Sequence, residues 1–313
     1  MARTGNSLSG ESSYWRSGDA GFATGQSPVL LSVPHSGRSY PSALLDNLRI
    51  PAHALHKLED RYADLLISDA LKRDHEALTA LAPRAWIDLN RHPDDLDRKA
   101  ITGIAASSAL DHLPRRNIYG IGRQKGSPYR AGVGLGLVPT RLNNYGDIWR
   151  NNWAMADIIQ RIQHVHAPYH EAVTHRLEER LGIYGCAILL DIHSMPSLST
   201  EPGQPDTPIQ ILFGDRFGAS APDPLVTRME HMARDHGFRA GRNRPYAGGY
   251  ILDRHSRADG PIYAVQIEVD RALYLDRNGF PGRAIEAVRG LIAALADVAA
   301  DYAYGMRRIE AAE

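Results

Sequence analysis

The sequence predicts an α/β protein with a mainly parallel, mixed sheet flanked by helices. Two observations favour this fold class. Short apolar runs typical of buried strands alternate along the chain with longer segments of helical periodicity. Three of the apolar runs also end in polar residues, and the carboxyl ends of strands are where ligands bind in an open α/β sheet. A doubly wound domain is the simplest arrangement of such elements.

Apolar runs of strand length predict five strands. In chain order they are Val29–Val33, Ala85–Leu89, Ala187–Leu190, Ile209–Phe213 and Tyr263–Val269. Helical periodicity predicts four helices, at Asp60–Lys72, Trp149–Leu181, Leu225–His236 and Arg283–Tyr304. The second helix is expected to break near Pro168, because proline lacks the backbone N–H that a helix interior needs. The last helix carries Ala, Leu, Ile and Val on one face, which predicts that it packs on the sheet.

The chain divides into a lead-in and one domain. Residues 1–28 are rich in Ser and Gly and are expected to be partly disordered, whereas residues 29–313 are expected to form a single α/β domain. A long loop insertion near residues 93–145 is typical of a functional lid or a mobile insertion. Its glycine runs are Tyr119–Gly122 and Gly132–Gly136. Gly122–Ser127 lacks the Gly-Lys-Ser/Thr ending of a phosphate-binding loop, and Gly132–Gly136 has no clear strand before it, which disfavours nucleotide binding.

Composition excludes several classes of partner. The 313 residues are 43% hydrophobic and 23% charged, and 36 basic residues balance 36 acidic ones. No global positive charge therefore attracts nucleic acid or an anionic membrane. No run approaches the roughly 18 apolar residues of a membrane span, and a single cysteine, Cys186, permits no internal disulfide. We expect a cytoplasmic protein, monomeric or homodimeric.

Three segments end in groups that can bind a metal ion and activate water. They are Pro34–Gly37, Asp191–Ser194 and Gln266–Asp270, and each follows or closes an apolar run. Catalytic zinc usually takes three protein ligands and leaves one position for water. His35 and His193 would supply two nitrogens. The pattern therefore predicts a metal-dependent hydrolase.

The third ligand and the neighbouring roles remain open at this level. Glu59, Asp60 and Asp64 are all candidates, and Asp60 could instead cap a helix. Asp191 lies two residues before His193 on one strand face and could orient its imidazole, or satisfy a loop amide. Glu268 lies in an apolar strand, where it is either half of an ion pair or a general base.

These motifs together resemble the N-formylglutamate amidohydrolase family. The resemblance extends from about residue 28 to 300, in the family's order. It rests on Val33–Gly37, Asp60–Asp64, Asp88–Arg91, Pro168–His170, Leu190–Pro196, Gly248–Tyr250 and Gln266–Glu268. The resemblance implies a three-layer fold similar to zinc carboxypeptidases and aspartoacylases. It also implies that water cleaves N-formyl-L-glutamate to formate and L-glutamate, in histidine breakdown.

The resemblance also implies roles for individual residues. His35, Asp60 and His193 would bind Zn²⁺ or another divalent transition metal, and Glu268 would be the general base. Asn90 and Arg91 resemble an Asn-Arg pair that grips a substrate carboxylate, a task that suits a guanidinium. Further arginines could bind the second carboxylate of this small anionic N-acyl amino acid; they are Arg84, Arg244, Arg254 and Arg271.

The tetrahedral oxyanion needs the metal and one more donor. His170 and Arg254 are candidates for that donor, and a packing or capping role is the alternative for His170. Two other functions fit the same scaffold. One is a metallopeptidase or amidase acting on peptide or cell-wall fragments, and the other is a ligand-binding relative without catalysis.

Overall fold

The computed structural model describes residues 15–17, 27–103, 134–199, 208–257 and 261–310. Within this part of the chain, seven strands form one mixed sheet in the order β1–β3–β2–β8–β11–β9–β10. They are β1 Trp15–Ser17, β2 Val29–Val33, β3 Glu76–Ala80, β8 Ala187–Met195, β9 Ile211–Gly214, β10 Ala240–Arg242 and β11 Ile262–Asp270. Two small ribbons pair β4 Ile101–Thr102 with β7 Trp153–Ala154, and β5 Arg141–Leu142 with β6 Gly146–Asp147.

The centre of the sheet is parallel. Strand β2 pairs in parallel with β3 and β8, β8 pairs in parallel with β11, and β9 with β10. The antiparallel pairs are β1 with β3 and β9 with β11. The predicted mainly parallel, mixed α/β sheet is therefore confirmed.

Helices cover both faces of the sheet. The α-helices in the described residues are Ser42–Asp46, Ala63–Leu66, Ser68–Leu71, Met155–Arg161, Ala167–Tyr184, Asp223–Asp235, Tyr250–His255 and Ile285–Glu310. Ala52–Lys57 and Arg271–Leu273 are 3₁₀ turns, and Ile162–His166 is a π-turn. None of the helices in these ranges is long and apolar enough to cross a membrane.

Two hydrophobic cores lie on opposite faces of the sheet. Along β8, Ile188 and Leu190 belong to one core while Ala187 and Leu189 belong to the other, as the period of two of a strand requires. The first core packs the helices near residues 63–71, 223–235 and 285–303, and the second packs those of residues 155–177. The layers are therefore helix, sheet, helix.

The predicted strand Ala85–Leu89 is wrong. These residues form turns, in which Trp86 N–H donates to Pro83 O and Asp88 N–H donates to Leu137 O. Alternate residues are buried because they contact the second core, which imitates the period of a strand. The strand lies earlier, at Glu76–Ala80, where Glu76 and Thr79 weakened the apolar signal.

The helix predictions are confirmed in place but differ at their ends. Asp60–Lys72 contains two single-turn helices, and the first begins after Tyr62, whose φ is 59°. The predicted Trp149–Leu181 helix begins at Met155, since Trp153 belongs to a strand. It does not break at Pro168 but passes through the π-turn just before it.

The lead-in and the loop insertion fall largely outside the described residues. In the lead-in, Trp15–Ser17 pairs antiparallel with Leu78–Ala80 at the edge of the sheet. Of the insertion, residues 93–103 and 134–145 are described, and the Tyr119–Gly122 run lies outside them.

Candidate metal centre and active site

The candidate site lies at the carboxyl ends of three adjacent parallel strands. His35 follows β2 by two residues, His193 lies near the end of β8, and Glu268 lies near the end of β11. In the pairing of β8 with β11, Glu268 is the direct partner of His193. Segments that are far apart in the chain therefore meet at one edge, as the strand pattern predicts.

One nitrogen from each of two histidines faces one carboxylate oxygen. Nδ1 of His193 lies 3.1 Å from Oδ2 of Asp60, and Nδ1 of His35 lies 3.5 Å from the same oxygen. The ligand atoms of these three buried residues all lie within 4.8 Å of one another. His35, Asp60 and His193, which we call the metal group, could therefore hold a metal ion.

Asp88 orients His35. Its Oδ1 atom lies 2.7 Å from Nε2 of His35, so Nε2 carries the proton and Nδ1 presents its lone pair to the group. That buried Nδ1 has no hydrogen-bond partner among the described residues. Gly37 allows this geometry, since a Cβ there would lie 2.6 Å from Leu81 O.

Asp191 orients His193 in the same way. Its Oδ2 atom lies 2.8 Å from Nε2 of His193, and its Oδ1 atom accepts a hydrogen bond of 2.7 Å from Ser32. Burial opposes a charge on His193, but the Asp191 carboxylate raises the pKa of His193 well above its usual range. The imidazole is thus fixed with Nδ1 toward Asp60.

Asp60 is held on its other oxygen. Oδ1 accepts hydrogen bonds of 3.0 Å from both Ser194 and Arg271. Burial alone would raise the pKa of Asp60, but the neighbouring imidazoles of His193 and His35 hold it well below its usual range, so the group is a carboxylate. It does not cap a helix, because no side chain caps the helix that begins at Ala63.

Glu59, the alternative ligand, points elsewhere. Its carboxylate accepts a hydrogen bond from the Tyr40 hydroxyl and lies 3.4 Å from the Arg61 guanidinium. The group that could hold an ion contains Asp60 and neither Glu59 nor Asp64.

The donor set fits a divalent transition metal. Two imidazole nitrogens and one carboxylate oxygen form the usual protein contribution to a catalytic zinc site. The unpartnered Nδ1 of His35 is the group that an ion would satisfy. Carboxylates on the far nitrogens, from Asp88 and Asp191, are typical of metal-binding histidines.

Glu268 is a buried carboxylate beside this group. Its Oε1 accepts a 2.8 Å hydrogen bond from Nε2 of Gln266, and its side chain is 7% exposed. Burial raises the pKa of Glu268 to about 7, opposed by the nearby His193 and reinforced by Asp60. A carboxyl group that titrates near neutral pH is suited to take up and release a proton.

Arg84 supplies positive charge at the site. Its Nε donates a 2.8 Å hydrogen bond to Oδ2 of Asp88, and it also interacts electrostatically with Asp60 and Glu268. Burial and then the charge of Glu268 raise the pKa of Tyr246. Both side chains retain some exposure, 21% for Arg84 and 37% for Tyr246.

Asn90 lies beside His193 and Gln266. Its Nδ2 lies 3.4 Å from Nε2 of His193 and 3.3 Å from Oε1 of Gln266, and its Oδ1 accepts from the N–H of Ile251 at 2.9 Å. Arg91 is buried. Its guanidinium donates to Leu135 O and Asn90 O and lies 3.8 Å from Asp88.

Two predicted residues lie in a separate cluster. Nδ1 of His170 contacts Nε2 of His255 at 2.9 Å, and its Nε2 contacts Leu89 O at 2.9 Å. Arg254 is exposed and donates to the Tyr250 hydroxyl at 2.8 Å. None of these contacts involves the metal group.

Sequence reasoning did not assign roles to Asp88, Gln266 or Tyr246. It considered Arg271 as a substrate arginine or as an ion-pair partner of Glu268, and not as a partner of Asp60. Asp88 is the first residue of the Asp88–Arg91 motif. Its position two residues before Asn90 is the feature of the sequence that could have indicated a role in the site. Gln266 precedes Glu268 by two residues in β11, which puts both side chains on one face.

Comparisons with known proteins show which family and which fold the chain resembles. The model of the N-formylglutamate amidohydrolase family matches residues 27–275. An N-formylglutamate deformylase of Pseudomonas aeruginosa is 27% identical over 277 residues, which cover 87% of this chain and 92% of that protein. A Pseudomonas putida enzyme of the same name is 24% identical over 260 residues, covering 82% and 85%.

A solved structure extends the likeness to the fold. The crystal structure of N-formylglutamate amidohydrolase from Ralstonia eutropha superposes with a TM-score of 0.77 at 25% identity. The match covers 93% of this chain and 98% of that chain.

Proposed function

Because the chain belongs to the N-formylglutamate amidohydrolase family, we propose that it is a metal-dependent amidohydrolase that cleaves N-formyl-L-glutamate to formate and L-glutamate. The observation that carries this proposal is the convergence of His35, Asp60 and His193 beside the carboxylate of Glu268. Zinc is the proposed metal, and histidine breakdown in the cytoplasm is the proposed setting.

His35 and His193 would hold the ion through Nδ1, and Asp60 through Oδ2. A cation bound there would polarise the formyl carbonyl and lower the pKa of water. The buried Asp88 and Asp191 keep both imidazoles in the tautomer that binding requires.

Glu268 is the proposed general base. It accepts one proton as the oxygen of water bonds to the formyl carbon, and it delivers that proton to the nitrogen as the C–N bond breaks. Formate and the free amino group of L-glutamate result. The Gln266 amide holds Oε1 of Glu268, which fixes the carboxylate during both transfers.

The two substrate carboxylates require positive charge. Arg84, which interacts electrostatically with Asp60 and Glu268, is proposed to attract one of these carboxylates. Asn90, which contacts Gln266, and its neighbour Arg91 are proposed to contact the substrate. Arg254, on the exposed face of the helix Tyr250–His255, is proposed for an outer contact. The Arg84 guanidinium also suits the oxyanion, through charge-assisted hydrogen bonds.

The decisive test is formate release from N-formyl-L-glutamate by the purified protein. We expect release to stop after removal of metal with dipicolinate and to return with zinc, cobalt or manganese. N-acetyl-L-glutamate and N-formyl-L-glutamine serve as matched controls for the acyl group and for the side-chain carboxylate. If metal-loaded protein leaves N-formyl-L-glutamate intact but consumes another acyl amino acid or a peptide, that compound would replace N-formyl-L-glutamate as the proposed substrate.

A further inference from the structure

One helix face forms hydrogen bonds to the segment of residues 84–91, which carries Asp88 and Asn90. Residues 84–91 form turns rather than a strand, so their carbonyl groups have no sheet ladder to bind. Three of these carbonyls accept instead from side chains of the helical segment Met155–Tyr184. Arg161 donates to Trp86 O at 3.1 Å, His170 bonds to Leu89 O at 2.9 Å, and His166 bonds to Arg91 O at 3.0 Å.

The π-turn makes this alignment possible. Arg161 and His166 are five positions apart, which is the hydrogen-bond spacing of a π-turn, and His166 and His170 are four apart, as in an α-helix. The three side chains therefore project on one side of the helix. The imidazoles of His166 and His170 accordingly lie 4.4 Å apart between ring centres.

The tautomers of both histidines are fixed by their partners. A carbonyl oxygen only accepts, so Nε2 of His166 and Nε2 of His170 each carry a proton. Nδ1 of His170 must then accept from Nε2–H of His255 at 2.9 Å. Burial lowers the pKa of His166 to about 4 and holds the pKa of His170 well below its usual range, so both rings are neutral at pH 7.

The segment of residues 84–91 contacts two parts of the candidate site. Asp88 binds Nε2 of His35, and Asn90 contacts Gln266, which in turn binds Glu268. The carbonyls of Leu89 and Arg91 flank Asn90 on both sides. A shift of these carbonyls would therefore move the Asn90 side chain relative to Glu268.

We propose that His166 and His170 are positioning residues, which hold the Leu89 and Arg91 carbonyls and thereby set Asn90 against Gln266 and Glu268. Neither histidine touches the metal group in the described contacts. The effect on turnover rests on the proposed function, whereas the effect on the segment itself does not. The helix thus acts as a rigid support behind an irregular, site-bearing segment.

The test compares leucine and glutamine variants. His166→Leu and His170→Leu remove the donor, while His166→Gln and His170→Gln keep an N–H near the position of Nε2. His164→Leu is the matched control, because His164 is exposed on the same turn and bonds only to Gln160 in the described contacts. Each variant is assayed for kcat and KM with N-formyl-L-glutamate at saturating zinc, and for amide hydrogen exchange of the peptide over residues 86–92.

We expect kcat/KM to fall about 10- to 100-fold in the leucine variants and to recover in the glutamine variants. Exchange over residues 86–92 should quicken in the leucine variants alone. Leucine variants that fold and keep both wild-type exchange and wild-type kcat/KM would overturn the proposal. So would glutamine variants that are as impaired as the leucine variants, because ring packing would then explain the loss.

Two measurements distinguish a failure of the positioning role from a failure of the substrate assignment or of folding. If wild-type protein releases no formate yet the leucine variants quicken exchange, the substrate assignment fails and the positioning role stands. If the leucine variants do not fold, ¹⁵N NMR of the wild-type imidazoles decides. Protons on Nε2 of His166 and His170 at pH 7 support the proposal, and protons on Nδ1 overturn it.

Discussion

Oδ1 of Asp88 lies 2.7 Å from Nε2 of His35, although 53 positions separate the two residues in the chain. This bond fixes the tautomer in which Nδ1 of His35 is free to bind an ion. The Arg84 charge holds the pKa of Asp88 well below its usual range despite burial, so Asp88 stays ionised. His35 therefore has a carboxylate behind it at all pH values near neutral.

Replacing Asp88 by Asn should weaken metal binding. We expect zinc affinity to fall about 10- to 100-fold, because the amide neither orients His35 as firmly nor raises its basicity. Competition with a chromophoric chelator measures the change. Asp94→Asn is the control, since Asp94 is exposed and outside the site. Equal zinc affinity in all three proteins would show that His35 does not bind zinc in this geometry.

Replacing Glu268 by Gln should separate metal binding from turnover. The amide keeps the size of the side chain and a hydrogen-bond acceptor for Gln266 but cannot accept a proton from water. We expect kcat to fall by about 100-fold or more while zinc content stays at the wild-type value. Turnover and metal content are measured on the same sample. A variant with wild-type kcat would assign the base to another residue.

The same substitution should change how stability depends on pH. Burial raises the pKa of Glu268 from 4.5 to about 7, so the folded state binds the proton more tightly than the unfolded state. The resulting stabilisation is complete below about 4.5 and is lost as the pH rises through 7. From pH 5 to pH 8 this contribution to the free energy of unfolding decreases by roughly 2 to 3 kcal/mol.

Urea unfolding of metal-free protein checks this dependence. The free energy of unfolding of wild type minus that of Glu268→Gln should decrease by that amount from pH 5 to 8, because other titrating groups are common to both proteins. A difference that stays constant with pH would mean that Glu268 keeps its ordinary pKa. Zinc should reduce the effect, since a nearby cation favours the carboxylate.

Replacing Arg84 by Gln should shift the pH profile of turnover. The Arg84 charge lowers the pKa of Glu268, so its removal raises that pKa. A base must be deprotonated to act, and the acid limb of kcat/KM should therefore move to higher pH. Arg98→Gln, an exposed arginine, is the control for loss of one charge. An acid limb that moves to lower pH, or equally in both variants, would contradict a direct effect of Arg84.

The two histidines of the metal group, and Glu268 beside them, were predictable from their places along the chain. His35, His193 and Glu268 follow or close apolar strands, and the ends of parallel strands share one edge. The Asp88 contact was not predictable in this way. Ala85–Leu89 has the alternation of a strand but forms turns, so its geometry depends on contacts with Arg161, His166 and His170, more than 70 positions away.

Arg271 illustrates a second limit of the sequence. It suggested a substrate arginine, yet its guanidinium binds Asp60 Oδ1 and Ser194. Sequence identifies a cation near the site but not which carboxylate it meets, because the turn Arg271–Leu273 sets that direction.

Gly249 determines where the Asn90 side chain can lie. A Cβ at this position would lie 2.6 Å from Cγ of Asn90, while the Gly249 φ of −120° suits any residue. Gly249→Ala should therefore act by steric displacement of Asn90 alone. We expect a loss of about 1 to 3 kcal/mol in stability from overpacking, and a fall of about 10- to 100-fold in kcat/KM as Asn90 leaves Gln266.

Gly282→Ala is the matched control, because the nearest atom to its Cβ would be 3.9 Å away. Thermal unfolding and formate release are measured for both variants at saturating zinc. In protein that carries Asn90→Ala the clash is gone, so adding Gly249→Ala should cost little further stability, and activity should stay low because the amide is missing. Recovery of activity in the double variant would show that the Asn90 amide has no part in turnover.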